Sequence, residues 1–136
     1  MIAILLNDAS FEQDIRELLM AFYPGETFTH KEEEAGEAEL IVRGVRDGNS
    51  FSLDVAPVKK EAVHFALIYP DFSNRFETKN EIKQTLYRLL SAQTGRELPW
   101  GTLTGIRPTK IALTKLYDGW TDEQIETYMR ETYFTS

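Results

Sequence analysis

The sequence predicts an α+β fold, with a small antiparallel or mixed β-sheet packed against helices and followed by a C-terminal helical segment. Short apolar and alternating runs, typical of strands, fall in the first 70 residues. Apolar residues at helical spacing follow the first of these runs and dominate the chain after residue 78. A strand and a helix, then a strand meander, then three helices is an order typical of this class.

The strand predictions come from apolar patterning. Residues 2–6 form a short apolar run that predicts a buried first strand, and a second strand is expected around 26–30. Residues 40–46 and 51–55 flank Asp47-Gly48-Asn49, which predicts a hairpin because Gly and Asn tolerate positive φ. A further strand is predicted at 62–69, although Ala62, Phe65 and Ala66 also permit a short helix. The alternating residues of that strand are Val63, Phe65, Leu67 and Tyr69. Phe65 and Tyr69 are expected in core or half-buried positions.

Four helices are predicted, each with start and stop signals. The first has a capping box at Ser10 and Gln13 and ends at Pro24-Gly25; the second has one at Thr78 and Glu81 and ends at Gly95. Pro108 suits the first turn of a third helix, which is expected to end near Gly119. The fourth is predicted from Thr121 as its cap, Gln124 at the third helical position and Trp120 packed on Ile125.

Composition excludes several functions. The chain has 136 residues, a net charge of −7 and no cysteine, which disfavours nucleic-acid binding and rules out disulfides. No apolar run is long enough for a membrane span, and a cytoplasmic location is expected. The acidic run at 31–39 is expected to be a solvated loop without a metal. His30 and His64 lack companion ligands and are expected to be ordinary strand residues.

The most distinctive stretch is LPWGTLTGIRPTKI at 98–111. It places two glycines, two prolines, a tryptophan and two cations between amphipathic segments, which indicates a rigid, shaped connection. This run closely resembles one in HemZ-type oxygen-independent coproporphyrinogen dehydrogenases, which are radical-SAM enzymes of haem synthesis. The resemblance extends over about residues 86–133, including the GRELP sequence at 95–99 and DEQIETYM at 122–129.

The resemblance implies a catalytic barrel that this chain does not contain. Radical-SAM enzymes bind a 4Fe-4S cluster through a CxxxCxxC triad, and the cluster binds S-adenosylmethionine. The implied reaction is oxidative decarboxylation of two propionates of coproporphyrinogen III to vinyl groups, started by a 5′-deoxyadenosyl radical. Because iron–sulfur ligation needs thiolates, this cysteine-free chain is expected to hold no cofactor itself. Residues 1–95 are therefore predicted to be an accessory domain, and 96–136 a loop and helical segment leading into the catalytic domain.

The 98–111 run admits three interpretations. Trp100, Gly101 and Pro108 are predicted to shape and anchor the loop, with Arg107 paired to a carboxylate of this domain or of the catalytic domain. Alternatively, the start of the following helix binds an anion, because free amides and the helix dipole favour negative charge there. Direct catalysis is the third interpretation; no catalytic residue is assigned. The candidate anion-binding or interdomain residues are Thr104, Gly105, Arg107, Thr109 and Lys110.

Two functions follow for the chain. The first is a non-catalytic accessory domain whose partner is the radical-SAM domain of the same polypeptide, docking on it or shaping its entrance. The second is a regulatory or protein-interaction module that uses Trp100, Tyr133 and Phe134 as an exposed contact surface and the acidic loop as another. Neither function involves nucleic acid or a membrane, and the sequence leaves the oligomeric state open.

Overall fold

A mixed sheet organises the N-terminal part of the chain in the computed structural model, which describes residues 1–58, 63–98, 101–102, 111 and 114–135. The described strands, in the spatial order β2-β1-β3-β4-β5, form one five-stranded sheet in which β1 runs parallel to β2 and β3 and the remaining pairs are antiparallel. The predicted α+β class is therefore confirmed. The strands are β1 Ile2–Leu6, β2 Phe28–Thr29, β3 Leu40–Asp47, β4 Ser50–Pro57 and β5 His64–Ile68.

The hairpin between β3 and β4 lies where the sequence predicts it. Asp47 pairs with Ser50 across the turn, and Gly48 has a φ of 62°, which an L side chain rarely adopts. The strand predicted at 62–69 is also confirmed, as β5, which pairs antiparallel with β4. The sheet therefore ends on a short edge strand.

The face of the sheet that bears Phe51, Leu53 and Val55 carries the main core of the first unit. Two helices, α1 Glu12–Phe22 and α2 Arg75–Thr94, contact each other and strands of the sheet. We call this side of the sheet its inner face. The fully buried large side chains are Phe22, Phe51, Ile2, Ile4, Ile15, Leu18, Leu19, Leu53, Ile82, Leu86, Leu90 and Val42. At about 1.5–3 kcal/mol per fully buried apolar side chain, this core is the principal stabilising feature of the sheet and its helices.

Two of the three predicted capping boxes are wrong. Before α1, the carboxylate of Asp8 accepts from the backbone N–H of Ser10 at 3.0 Å and caps a 3-10 turn, so α1 begins only at Glu12. Before α2, the side chain of Asn74 accepts from Glu77 N–H at 3.1 Å and starts the helix. In both places an earlier Asp or Asn supplies the oxygen that the helix start requires.

The acidic run is not the solvated loop that was expected. Residues Glu32–Glu37 form a 3-10 helix whose Ala35, together with Ala38, packs against Ala3 and Leu5 of β1. Arg43 of β3 holds Glu32 in a bidentate contact, with nitrogen–oxygen distances of 2.7 and 3.1 Å. The small alanines within the run therefore allow it to cover the other face of the sheet, which we call the outer face, beside β1.

The second unit comprises Glu97–Ser136, whereas the first comprises Met1–Arg96. Its helix α3, Asp122–Tyr133, begins at the predicted capping box, in which Thr121 and Gln124 bond reciprocally. Residues 114–117 are helical and are followed by Gly119 at a φ of 88°, as predicted for the end of the preceding helix. The start predicted at Pro108 lies outside the described residues. The roles assigned to 1–95 and 96–136 remain predictions.

Within the described ranges, none of the helices has both the length and the apolar character needed to cross a membrane.

Candidate functional site

Most residues of the predicted site lie outside the described part of the chain. These are Trp100, Thr104, Gly105, Arg107, Pro108, Thr109 and Lys110. The described members of the 98–111 run are Leu98, Gly101, Thr102 and Ile111. The structure therefore tests how this run is anchored at Gly101 and Thr102, and the proposed anion-binding or interdomain roles stay predictions.

Gly101 occupies a position that only glycine fits. Its φ is 58°, and a Cβ placed on it would overlap the carbonyl oxygen of Tyr133 and the backbone of Phe134. The N–H of Gly101 donates to the carbonyl of Leu98 at 2.9 Å, which closes a tight turn. Close backbone approach and positive φ are the two reasons that a chain requires glycine, and both apply here. The role predicted for Gly101 in shaping the whole 98–111 loop stays a prediction.

Thr102 ties the same turn to the end of α3. Its backbone N–H and its hydroxyl both donate to the carbonyl oxygen of Tyr133, at 2.6 and 3.2 Å, and the residue is only 1% exposed. Phe134 follows in the left-handed conformation and ends the helix, with its N–H bonded to the carbonyl of Arg130. The turn at 101–102 thus satisfies one of the carbonyls that a helix leaves unpaired at its C-terminus.

Tyr133, which accepts the hydrogen bonds of this anchor, also belongs to an aromatic cluster. Trp120 stacks edge-to-face on Tyr128 at 5.4 Å between ring centroids, and Tyr128 stacks in the same way on Tyr133 at 6.0 Å. The ammonium of Lys115 lies 4.7 Å from the ring centroids of both Trp120 and Tyr128, within cation–π range. Together with Ile125 and Met129, these rings form the apolar cluster of the second unit. The predicted packing of Trp120 against α3 is confirmed.

Tyr133 was expected to be exposed as a contact residue, and that expectation is wrong. It is buried in the cluster, because the final turn of α3 directs it toward Ile125 and Met129. Phe134 is only half-buried. A contact surface made of exposed Tyr133 and Phe134 is therefore not what the structure presents.

An open groove of about 620 Å³ lies along α3. Its walls combine aromatic faces with the carboxylates of Glu123 and Glu131, which disfavours an anionic ligand there. The residues that line it are Trp120, Glu123, Gln124, Thr127, Tyr128 and Glu131. It is the exposed side of the same aromatic cluster, and its described lining residues include no paired nucleophile and base.

The histidines lie where local structure explains them. The ring of His30, directly after β2, contacts the carbonyl oxygen of Ile4 through Nδ1 at 3.3 Å and the carboxylate of Glu12 through Nε2 at 3.2 Å. His64 starts β5 opposite Val55. Within the described ranges, no three or more His, Asp or Glu side chains come together as a metal site would require.

Hydrogen bonds and nearby cations lower the pKa values of two carboxylates at the sheet. Hydrogen bonds from the side chain and backbone of Ser10, with help from Arg46, lower the pKa of Asp8. The bidentate contact with the Arg43 guanidinium lowers the pKa of Glu32. Both carboxylates are bonded to their own fold, so each stabilises local structure and neither is poised to transfer a proton.

Comparison with known proteins gives one informative match. No protein-family model matches the chain, and no solved structure matches it. The chain is 37% identical over 73 residues to the oxygen-independent coproporphyrinogen-III oxidase-like protein HemZ of Bacillus subtilis (strain 168). A region of this chain is related to HemZ. The match covers 52% of this chain and 15% of HemZ, so the chain spans only a small part of that relative.

The residues present do not fit the iron–sulfur cluster that the resemblance implies. Thiolates hold such clusters, and none of the 136 residues is a cysteine. Any cluster would therefore need ligands from another part of a longer protein, and no step of its chemistry can be assigned to this chain.

Sequence reasoning missed two features of the structure. One is the anchor of Thr102 on the C-terminus of α3, which joins residues 31 positions apart and leaves no local pattern. The other is the exposure of the alternating row on β5: Phe65 and Tyr69 are 59% and 66% exposed. The row gives the same alternation as a buried strand face, so periodicity alone cannot tell which face is covered.

Proposed function

We propose that this chain is a non-catalytic, N-terminal accessory domain of a longer, cytoplasmic HemZ-like radical-SAM coproporphyrinogen III dehydrogenase. Its partner is the catalytic domain of the same polypeptide, which it contacts at or near the substrate entrance. The observation that carries the proposal is the 37% identity to HemZ over 73 residues. The absence of cysteine supports the non-catalytic role, since the ligands of a cluster must come from elsewhere.

Two features of the structure support the proposed role as a non-catalytic accessory domain. The described part of the 98–111 run is used to close a turn and cap α3, which is a structural task. Asp8, Glu32 and His30 at the sheet are each paired within the fold, as in a scaffold. Arg107 and Lys110 are proposed to pair with carboxylates of the catalytic domain or to steer the propionates of the substrate.

Anaerobic reconstitution with iron and sulfide tests the proposal on three proteins: the full-length protein, the full-length protein without residues 1–136, and this chain alone. The first two should bind a cluster and cleave S-adenosylmethionine, whereas this chain should stay colourless. Removing 1–136 should lower turnover of coproporphyrinogen III while leaving the cluster in place. Stoichiometric cluster binding by this chain, or full turnover without it, would overturn the proposal.

A further inference from the structure

Among the described residues, the outer face of β5 is apolar and uncovered, whereas the residues of β4 on that face are Ser52, Asp54 and Ala56. On the inner face, β4 packs its alternate residues into the core; on the outer face, the 3-10 helix Glu32–Glu37 covers the sheet beside β1. Four side chains in or next to β5 extend from the uncovered face, and each is 47–66% exposed. We call them the β5 row; they are Val63, Phe65, Leu67 and Tyr69.

The sheet register places one more exposed apolar side chain on this face, two strands away from the row and across polar residues of β4. Leu67 pairs with Ser52, and Ser52 pairs with Val45 of β3, which is itself 43% exposed. Of the described residues on this face, Asp54 of β4 lies opposite Phe65, and Arg43 of β3 lies opposite Asp54 and is bonded to Glu32. The stretch 63–69 carries no Asp, Glu, Lys or Arg in a chain that is 27% charged. Exposed edge strands usually carry a charge or a proline to block pairing, and β5 has neither.

We infer that the β5 row is the surface on which this domain docks against the catalytic domain of the same polypeptide. This inference rests on the proposed function. HemZ carries most of its length outside the region matched here, so the proposed partner is covalently attached and present at high effective concentration. The partner surface would be apolar where it meets Phe65 and Leu67, because burying these side chains from water drives the contact.

The charge of the chain argues against the other occupants. Two copies would each bring a net charge of −7 to the interface, and an anionic membrane surface would repel the chain for the same reason. A domain attached to this chain can contact the β5 row without diffusing toward it from solution against charge repulsion. Contacts between domains of one chain are also modest in size, which suits a row of four large side chains.

Hydroxyl-radical footprinting of the full-length protein and of this chain tests the docking surface directly. The rates of oxidation at Phe65 and Tyr69 should be at least about fivefold lower in the full-length protein, because an interface core packs as densely as a protein interior. Phe76 on α2 is the matched control, since it is 55% exposed and lies outside the row; its rate should not change. Equal rates at Phe65 and Tyr69 in both proteins would overturn the inference.

A pair of full-length variants separates docking through this row from other contacts. In the full-length variant with both Phe65→Ser and Leu67→Ser, Tyr69 should oxidise at the rate seen in this chain. In the full-length variant Phe76→Ser, Tyr69 should stay protected from oxidation. The same substitutions should lower the denaturation midpoint of this chain only slightly, because each side chain is about half exposed and none is in the core. Protection that rises with protein concentration would instead identify a second copy as the occupant and overturn the inference. A full-length protein that binds its cluster and needs residues 1–136 for turnover, yet leaves the row unprotected, would refute only this docking surface.

Discussion

Gly101 is the residue on which the shape of the second unit depends most visibly. It combines positive φ with a backbone approach that leaves no room for a Cβ, whereas Gly119 in the same unit has positive φ in open space. A comparison of substitutions at these two glycines therefore distinguishes the effect of backbone strain from that of steric overlap. The sequence allowed the prediction that Gly101 shapes the loop, because glycine and proline spacing is visible locally. It could not identify Tyr133 and Phe134 as the contacts, since they lie more than 30 positions away.

Gly101→Ala should destabilise the second unit by more than about 2 kcal/mol, because strain at positive φ adds to a steric overlap that requires the backbone to move. The control Gly119→Ala should cost about 1 kcal/mol, from the strained φ alone. Urea unfolding followed by tryptophan fluorescence measures this change. Both tryptophans, Trp100 and Trp120, lie within Glu97–Ser136 and report on that unit. Equal effects of the two substitutions would refute the close approach.

The pKa of Glu32 provides a test of the contact that holds the 3-10 helix on the sheet. Arg43→Gln should raise the pKa of Glu32 toward its ordinary value of 4.5, because the bidentate hydrogen bonds are lost. Since the folded pKa is the lower one, the stabilising contribution is present above pH 4.5 and is lost as the pH falls through the folded pKa. NMR titration of the Glu32 carboxyl measures the shift. The control Arg46→Gln, which removes the ion pair with Asp8, should leave the pKa of Glu32 unchanged.

Arg107 is the residue through which the proposed interdomain role can be tested. Arg107→Ala should change the stability of this chain by less than about 1 kcal/mol, as is usual for a surface charge. In the full-length protein it should lower turnover or weaken domain association, because losing one member of a desolvated charge pair costs about 2–5 kcal/mol. Arg107→Lys should rescue only part of the loss, since an ammonium lacks the bidentate fork.

The control for Arg107 is Arg130→Ala, which removes an exposed arginine of α3 and should leave turnover unchanged. Unfolding of this chain by Arg107→Ala would place Arg107 in the internal network of the domain. If Arg107→Ala changes neither the stability of this chain nor the turnover and domain association of the full-length protein, Arg107 does not have the proposed interdomain role.

Helix starts show what local sequence can and cannot determine at the scale of elements. The box at Thr121 and Gln124 forms as predicted, with both of its reciprocal hydrogen bonds present. At α2, the predicted cap Thr78 is instead buried, and its hydroxyl donates to the carbonyl of Asp71 at 2.7 Å. Asn74 caps the helix instead, eight positions before Ile82, the first buried apolar residue of α2, where periodicity gives no signal.

Thr121→Ala should destabilise the second unit by about 1 kcal/mol. The hydroxyl oxygen of Thr121 accepts from the N–H of Gln124, and in the variant only water replaces that oxygen. Thr127→Ala is the matched control on the same helix, because Thr127 is exposed in the helix interior. That control should be neutral or stabilising by up to about 0.5 kcal/mol, as alanine has the higher helix propensity. Tryptophan fluorescence in urea measures both, and equal losses would argue against the cap.

At the scale of the whole molecule, the sequence predicts the α+β class because strand and helix periods are segregated along the chain. It predicts the alternation of β5 for the same reason. It does not predict that the apolar row is left uncovered, because this depends on where α1, α2 and the 3-10 helix pack on the sheet. The region of HemZ that this chain matches is only 15% of that protein, so the match gives no information on the partner proposed for that row.

The most direct test of the account is the complete sequence of the protein from which this chain comes, read from its coding region and checked by peptide mapping of the purified protein. The account predicts that the reading frame continues past Ser136 and encodes a CxxxCxxC triad within some tens of residues. A stop codon directly after Ser136 would contradict it, because no catalytic domain would then be attached for this domain to serve.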